Sequence, residues 1–277
     1  MKQEILARLR SANNVVIFTG AGMSAESGIP TFRDRGTGLW ENVDPLEVAT
    51  PQAFQANPQR VWDWHVQLAK SVRQAVPNAG HLAIAELQAR RNRVTVITQN
   101  IDNLHQAAGS RHVVELHGNL LRLKSFVDED GLFSSGATPV ICRVCDGYAL
   151  RDDFDPYADR EDFRALTLEA GSVPSCPGCG ALLRPDVVMF GEPLNPADLE
   201  AAWSAVDQCD ALICVGTSLE VEPAASLPWQ ALNRGVLVIE INPVQTSLSK
   251  QADLYLAGSA AVVLPTLFGR ITDPRVT

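Results

Sequence analysis

The sequence has no run of about 18 uncharged apolar residues, so no transmembrane helix is expected and no membrane association. Its opening, MKQEILARLR, is broken by Lys2, Glu4, Arg8 and Arg10 and forms no signal-peptide core, which predicts a cytoplasmic protein. Basic residues are in the minority: 23 Lys and Arg against 32 Asp and Glu leave a formal net charge of −9. That excludes a nucleic-acid phosphate backbone as the expected main ligand, because such binding needs clustered cations. It suits a basic partner such as a lysine-bearing peptide. Cysteines number only 6, and in a reducing compartment they read as metal ligands or core thiols rather than disulfides. Repeats and low-complexity tracts are absent too.

What is present describes an ordinary globular chain. Apolar residues make up 46% and charged residues 20%, which argues against extended disorder. A length of 277 residues allows one large domain, or one large and one small. Residues 2–12 read as a short amphipathic helix with Ile5, Leu6 and Leu9 on one face. Val15-Val16-Ile17-Phe18 is a continuous apolar run, as expected of a strand buried on both faces. Further strands are predicted at Val94–Thr98, Val113–Leu116, Ala211–Val215 and Val236–Ile241. Helical stretches at His81–Arg90 and Asp198–Asp207 lie between some of them. The alternation predicts an α/β fold with a doubly wound parallel sheet. From about Leu121 to Arg184 the rhythm stops, and Gly, Pro, Asp and four cysteines predict a small insert. The domains are accordingly 1–120 with 185–277, and 121–184, with about 35–75 as a candidate helical part of the smaller one.

Two local patterns carry chemistry. Gly20-Ala21-Gly22-Met23-Ser24-Ala25 follows the first strand and has the form G-x-G-x-x-A. Glycines let a backbone approach a pyrophosphate, and the helix expected next would offer its N–H groups. The same hexapeptide also fits a plain structural turn. The acidic residue that usually follows some 20 residues later is unclear, since Glu41 lies in an apparent loop. The second pattern is Cys142-x-x-Cys145 with Cys176-x-x-Cys179. Two such knuckles supply four thiolates, a closed tetrahedral site for one structural Zn²⁺ with no open position for catalysis. Cys209 and Cys214 read as core thiols, and His81 and His112 as exposed or structural.

The motifs in order are GAGMSAESGIPTFRDRGTGL from Gly20, TQNIDNLH from Thr98, ELHGN from Glu115, the two knuckles, RPDVVMFGE from Arg184, GTSLEVEP from Gly216 and INP from Ile241. Together they resemble the sirtuins, NAD-dependent protein lysine deacylases, over about residues 10–268. The resemblance implies a Rossmann-like NAD-binding domain, a small zinc-binding one, and a site in the cleft between them. It implies His117 as catalytic base. Gly20, Ala21, Gly22 and Ser24 would line the pyrophosphate, Arg33 would reach the phosphates, and Phe32 would cover the nicotinamide pocket. Gln99, Asn100 and Asp102 would contact the nicotinamide ribose and carboxamide. Gly216, Thr217, Ser218, Asn242 and Ala260 would lie along the adenosine side. Val188, Phe190, Gly191 and Glu192 would bind an extended acyl-lysine peptide by strand addition. His105 reads as a packing or hydrogen-bonding residue, and Asp102 as a helix cap as well as a ligand residue.

Residues 39–54 further resemble the class III sirtuins, with Ala49 widening the acyl pocket. Those enzymes hold an acyl carboxylate with a Tyr and an Arg three residues apart. Here those positions are His65 and Leu68, so the carboxylate clamp is missing, although His65 is expected to retain one hydrogen bond to offer. The expected activity is removal of acetyl or larger apolar acyl groups from lysine, releasing nicotinamide and O-acyl-ADP-ribose. NAD glycohydrolase or mono-ADP-ribosyltransferase activity on the same fold is the alternative, and a non-catalytic NAD- or peptide-binding module a third reading. Protein targets and oligomeric state are not legible in the sequence.

Overall fold

The computed structural model describes residues 3–30, 43–91, 93–126, 172–175 and 182–272. Phe32, Arg33, Glu41 and the four knuckle cysteines lie outside them, as does most of 121–184.

Six parallel strands make the main sheet: β1 (Val15–Thr19), β2 (Val94–Thr98), β3 (Val113–Glu115), β6 (Ala211–Val215), β7 (Leu237–Asn242) and β8 (Leu254–Ala257). Their order is β3-β2-β1-β6-β7-β8. β1 sits in the middle, with Val15 in register with Val94 on one side and Ala211 on the other. All five residues of β1 and of β6 are buried, which is why both read as unbroken apolar runs.

Alternation within β1 builds two cores. Val15 and Ile17 face a cluster with Leu9 of α1 (Gln3–Ser11), Ile84 and Leu87 of α5 (Ala79–Arg90), and Leu264 and Phe268 of α9 (Ala260–Thr272). Val16 and Phe18 face the opposite cluster, with Val206 of α7 (Pro196–Gln208) and Leu227 and Ala231 of α8 (Ser226–Asn233). The period of two along a strand therefore feeds helices on both faces. The chain leaves β1 toward β2 on one side and takes up β6 on the other. That reversal opens a crevice beyond the carboxyl ends of β1 and β6, the usual ligand position in such sheets.

A second unit is a two-stranded antiparallel sheet of β4 (Gly118–Ser125) and β5 (Leu183–Val187), irregular in register between Asn119 and Leu123. Leu121, where the sequence placed the start of the insert, is in the middle of β4. A third apolar cluster joins this strand pair to helices α3 (Pro51–Ala56) and α4 (Pro58–Gln74) through Phe54, Val61, Ala69, Val72, Leu120, Val187 and Met189. Asp44, Thr50 and Asn57 cap α2 (Pro45–Val48), α3 and α4 in turn, each followed by proline at the first helical position.

Candidate active site

The crevice is built from strand ends. After Thr19 the chain makes two single 3₁₀ turns, Ala21–Met23 and Ala25–Ser27, not the full helix expected after the glycines. Gly28 ends the second turn with φ +85°, and Pro30 follows closely. Any anion here would meet turn N–H groups, not a helix dipole. The turn touches the segment after β6 backbone to backbone. Gly22 N–H donates to Gly216 O at 2.8 Å, and a Cβ on Gly22 would stand 2.9 Å from Gly216 Cα. These two glycines fit because neither has a side chain, and the cradle fits a pyrophosphate for the same reason.

Hydrogen bonds bring together the residues assigned to NAD. Ser24 is buried; its Oγ donates to Asp102 Oδ2 at 2.5 Å and accepts from Asn100 Nδ2 at 3.1 Å. Asp102 Oδ1 accepts the backbone N–H of Leu104 at 2.9 Å, at the start of the short helix α6 (Leu104–Ala107), whose N-cap position is Asn103 and not Asp102. Burial raises the Asp102 pKa, and the Glu115 charge adds to it against the bonds from Ser24 and Leu104. Gln99 Nε2 donates to Thr217 Oγ1 at 2.9 Å, and Asn242 Nδ2 to Thr217 O at 2.8 Å. Ser218 is half-buried beside them, Ala21 stands in the first turn, and Ala260 begins α9 after Gly258 N–H bonds to Asn242 O at 3.3 Å.

His117 closes the set from the end of β3. Its Nδ1 lies 2.9 Å from Gln99 O. A carbonyl only accepts, so Nδ1 carries the proton and Nε2 keeps its lone pair. Burial lowers the His117 pKa, against the Gln99 bond, which raises it. A neutral imidazole with a free Nε2 can take a proton from a hydroxyl. Gly118 follows with φ +77°, and a Cβ there would stand 2.1 Å from Asp186 O, so β4 and β5 meet at this point.

The segment after β5 hangs on two backbone bonds. Val188 N–H donates to His117 O at 2.9 Å, and Phe190 N–H to Ala49 O at 2.8 Å. Phe190 and Gly191 are exposed, Val188 is half-buried, and Met189 is packed in the third apolar cluster. Glu192 does not face outward. Its carboxylate pairs with the fully buried Arg184 and accepts Met189 N–H at 2.9 Å. Arg184 in turn donates to Val187 O at 3.1 Å. The Glu192 carboxylate therefore shapes the segment from within.

His65 corrects another expectation. The ring is buried, and its Nδ1 donates to Val61 O at 2.8 Å. Burial lowers its pKa to about 4, against the Val61 bond and aided by the Arg184 charge. The neutral ring has one N–H, already committed to its own helix, so His65 offers a carboxylate no donor. Leu68 packs beside the third apolar cluster. Thr98 opens the TQNIDNLH motif without a role being assigned to it, and Thr19 merely closes β1; the Thr98 hydroxyl accepts Asn100 N–H at 3.0 Å and lies 2.8 Å from that of Thr19.

A Rossmann-like sheet with a glycine cradle at its switch point, and a histidine held there through Nδ1, is the architecture of a dinucleotide-using enzyme. Residues 20–223 match the model of the Sir2 family. The chain is 43% identical over 257 residues to an NAD-dependent protein deacylase of Thermococcus sibiricus, covering 93% of this chain and 91% of that one. It is 41% identical over 273 residues to an NAD-dependent protein deacylase of Methylococcus capsulatus, covering 98% of each. Among solved structures, a Sir2 homologue in complex with NAD superposes with a TM-score of 0.78 at 39% identity, covering 98% of this chain and 94% of that one. A Sir2 protein bound to a myristoylated histone peptide gives 0.68 at 34% identity, covering 98% and 97%. The chain belongs to the Sir2 family.

Proposed function

We infer that the chain is an NAD-dependent protein-lysine deacylase, with His117 as its base. The observation that carries the reading is the His117–Gln99 bond at the carboxyl edge of the sheet, beside the linked side chains of Ser24, Asn100 and Asp102. NAD is a substrate. The acyl-lysine amide oxygen attacks C1′ of the nicotinamide ribose, the C–N bond to nicotinamide breaks, and an alkylamidate forms. His117 Nε2 then takes the proton of a ribose hydroxyl, whose oxygen attacks the amidate carbon. Water completes the exchange, giving free lysine and O-acyl-ADP-ribose. Phe32 and Arg33 are assigned to the nicotinamide pocket and the phosphates, and the remaining NAD contacts follow the roles given above.

The peptide is read as an extended strand along 188–192, with backbone bonds giving affinity and little sequence preference. A solved Sir2 structure with a deacetylated p53 peptide, 28% identical, supports a peptide substrate, as does the myristoylated histone complex. Spent N–H capacity at His65 and an aliphatic Leu68 support apolar acyl groups. The donor chemistry of Cys142, Cys145, Cys176 and Cys179, four soft thiolates in two knuckles, fits one structural zinc that would stabilise the small domain. Metal analysis of the purified protein tests that reading, with about one zinc per chain expected and metal-free active protein overturning it.

Mass spectrometry of the products from NAD and an acetyl-lysine peptide tests the function. O-acyl-ADP-ribose with deacylated peptide is expected. ADP-ribose without deacylation would instead mark an NAD glycohydrolase, and no turnover a binding module.

A further inference from the structure

Behind the site runs a line of buried polar groups that the reaction itself does not use. Thr98 Oγ1 accepts the backbone N–H of Asn100 at 3.0 Å. It lies 2.8 Å from Thr19 Oγ1, which is 3.0 Å from His105 Nε2. The His105 ring stands edge-on to His81, with centroids 4.9 Å apart. Thr19, Thr98, His81 and His105 are all buried.

The direction of this line is set from its far end. Asn78 N–H lies 3.3 Å from His81 Nδ1, and a backbone N–H only donates. His81 Nδ1 is therefore a lone pair, and the neutral ring carries its proton on Nε2. Burial keeps both rings neutral, lowering the His81 pKa to about 4 and that of His105 well below its usual value, to which the neighbouring His81 adds. His81 Nε2 and His105 Nδ1 are both buried without a partner among the described residues. A donor on His81 is complemented by an acceptor on the ring it faces edge-on, and Thr19 Oγ1, which spends its proton on Thr98 Oγ1 at 2.8 Å, must accept from His105 Nε2. His105 then carries its proton on Nε2 and donates to Thr19, Thr19 donates to Thr98, and Thr98 receives Asn100 N–H with its second lone pair.

The line ends on one particular peptide unit. Asn100 N–H and Gln99 C=O belong to the same plane. Thr98 holds the N–H end; the C=O end receives His117 Nδ1 at 2.9 Å. We propose that Thr98, braced by Thr19 and His105, is a positioning residue for His117, acting through the Gln99–Asn100 peptide plane. Clamping the N–H end fixes the direction of the carbonyl. It also polarises the amide, which strengthens Gln99 O as an acceptor. Both effects hold the imidazole in the Nδ1–H tautomer with Nε2 free.

The inference rests on His117 as base, and its test separates the two. Thr98→Val removes the hydroxyl at nearly constant shape, and Thr98→Ser keeps it. For Thr98→Val we expect deacylation kcat to fall about 10- to 100-fold, the scale of a small misplacement of a reacting group. KM for NAD and peptide should change less than about twofold, and nicotinamide exchange, which precedes the base, should largely survive. Thr98→Ser should restore kcat. Nitrogen-15 NMR of the unmodified protein should show His81 and His105 neutral with protons on Nε2, and His117 with its proton on Nδ1. In Thr98→Val, His117 should become a tautomer mixture. Thr19→Val, expected to act in the same direction, substitutes if Thr98→Val does not fold. Unchanged kcat in the Val variant, no rescue by Ser, or a His105 proton on Nδ1 overturns the proposal. If the unmodified protein makes no O-acyl-ADP-ribose, the functional reading fails, and the tautomer comparison still decides whether Thr98 orients His117.

Discussion

The His117 ring is aimed through one nitrogen, and the base role proposed for it falls to the other. Nδ1 is tied to Gln99 O, leaving Nε2 as the only basic nitrogen. His117→Ala should lower deacylation by about 10²- to 10⁴-fold, the usual size of a general-base contribution. Nicotinamide exchange should persist in part, because that step needs no base. Comparing the two rates in one preparation checks this, and equal loss of both would remove His117 from the role of base. The histidine itself was legible in the sequence, since ELHGN stands where the family's motif stands. What orients it was not. Gln99 was assigned by its side chain to the nicotinamide ribose and carboxamide, but it holds the imidazole with its backbone carbonyl, an atom every residue has. The inward turn of the Glu192 side chain was out of reach of the sequence for a related reason. A motif shows that a carboxylate is present but not which way it turns, and here a buried guanidinium draws it inward.

Two elements bear on the acyl-lysine preference proposed above. On α4, His65 bonds to Val61 O one turn earlier, and Leu68 lies one turn further along the helix. Neither supplies a cation, and a buried carboxylate without one is costly. Acetyl-, butyryl- or longer apolar acyl-lysine peptides should therefore be cleaved at least about 30-fold better in kcat/KM than succinyl-lysine ones, from a lost charged hydrogen bond of roughly 2–5 kcal/mol. His65→Tyr with Leu68→Arg should narrow that gap. Equal rates in the unmodified protein would defeat the argument. The other element is the β5 turn held by Arg184 and Glu192. Glu192→Gln strands a buried guanidinium and should cost about 3 kcal/mol. That corresponds to a melting-temperature loss of roughly 6–12 °C, with a higher peptide KM; a melt within about 1 °C of the parent would show the pair to be dispensable. β1, β2 and β6 were readable because burial on both faces leaves apolar runs. β5 was hidden because its five residues include Arg184, Pro185 and Asp186, and β8 because an edge strand is only half-covered.

Across the whole molecule, alternating strands and helices announced the doubly wound sheet, and the antiparallel pair of β4 and β5 escaped notice because its partners lie far apart in sequence and no periodicity marks them. Three buried imidazoles give the fold a dependence on acid. His65 and His81 are held near pKa 4 by burial, and His105 well below its usual value by burial and the His81 charge. In the unfolded chain each titrates near 6.5. Below that pH the unfolded state binds more protons than the folded one, so stability is full above about 6.5 and falls as pH drops toward 4. Each histidine contributes up to about 1.4 kcal/mol per pH unit in that window. Asp102, with its raised pKa, works in the opposite direction as a single group. Urea midpoints should therefore decline from pH 7 to 5, and a flat profile would mean that the three rings are not neutral and buried together.

Gly118, finally, governs how this protein would look to a mutational scan. With φ +77° and the Asp186 carbonyl 2.1 Å from where a Cβ would be, no other amino acid fits without parting β4 from β5. A saturation library scored for turnover alone would rank Gly118 with His117, its chain neighbour, and invite a chemical role for both. Scored for cellular abundance, the two would separate: His117 variants would accumulate as folded, inactive protein, and Gly118 variants would be depleted.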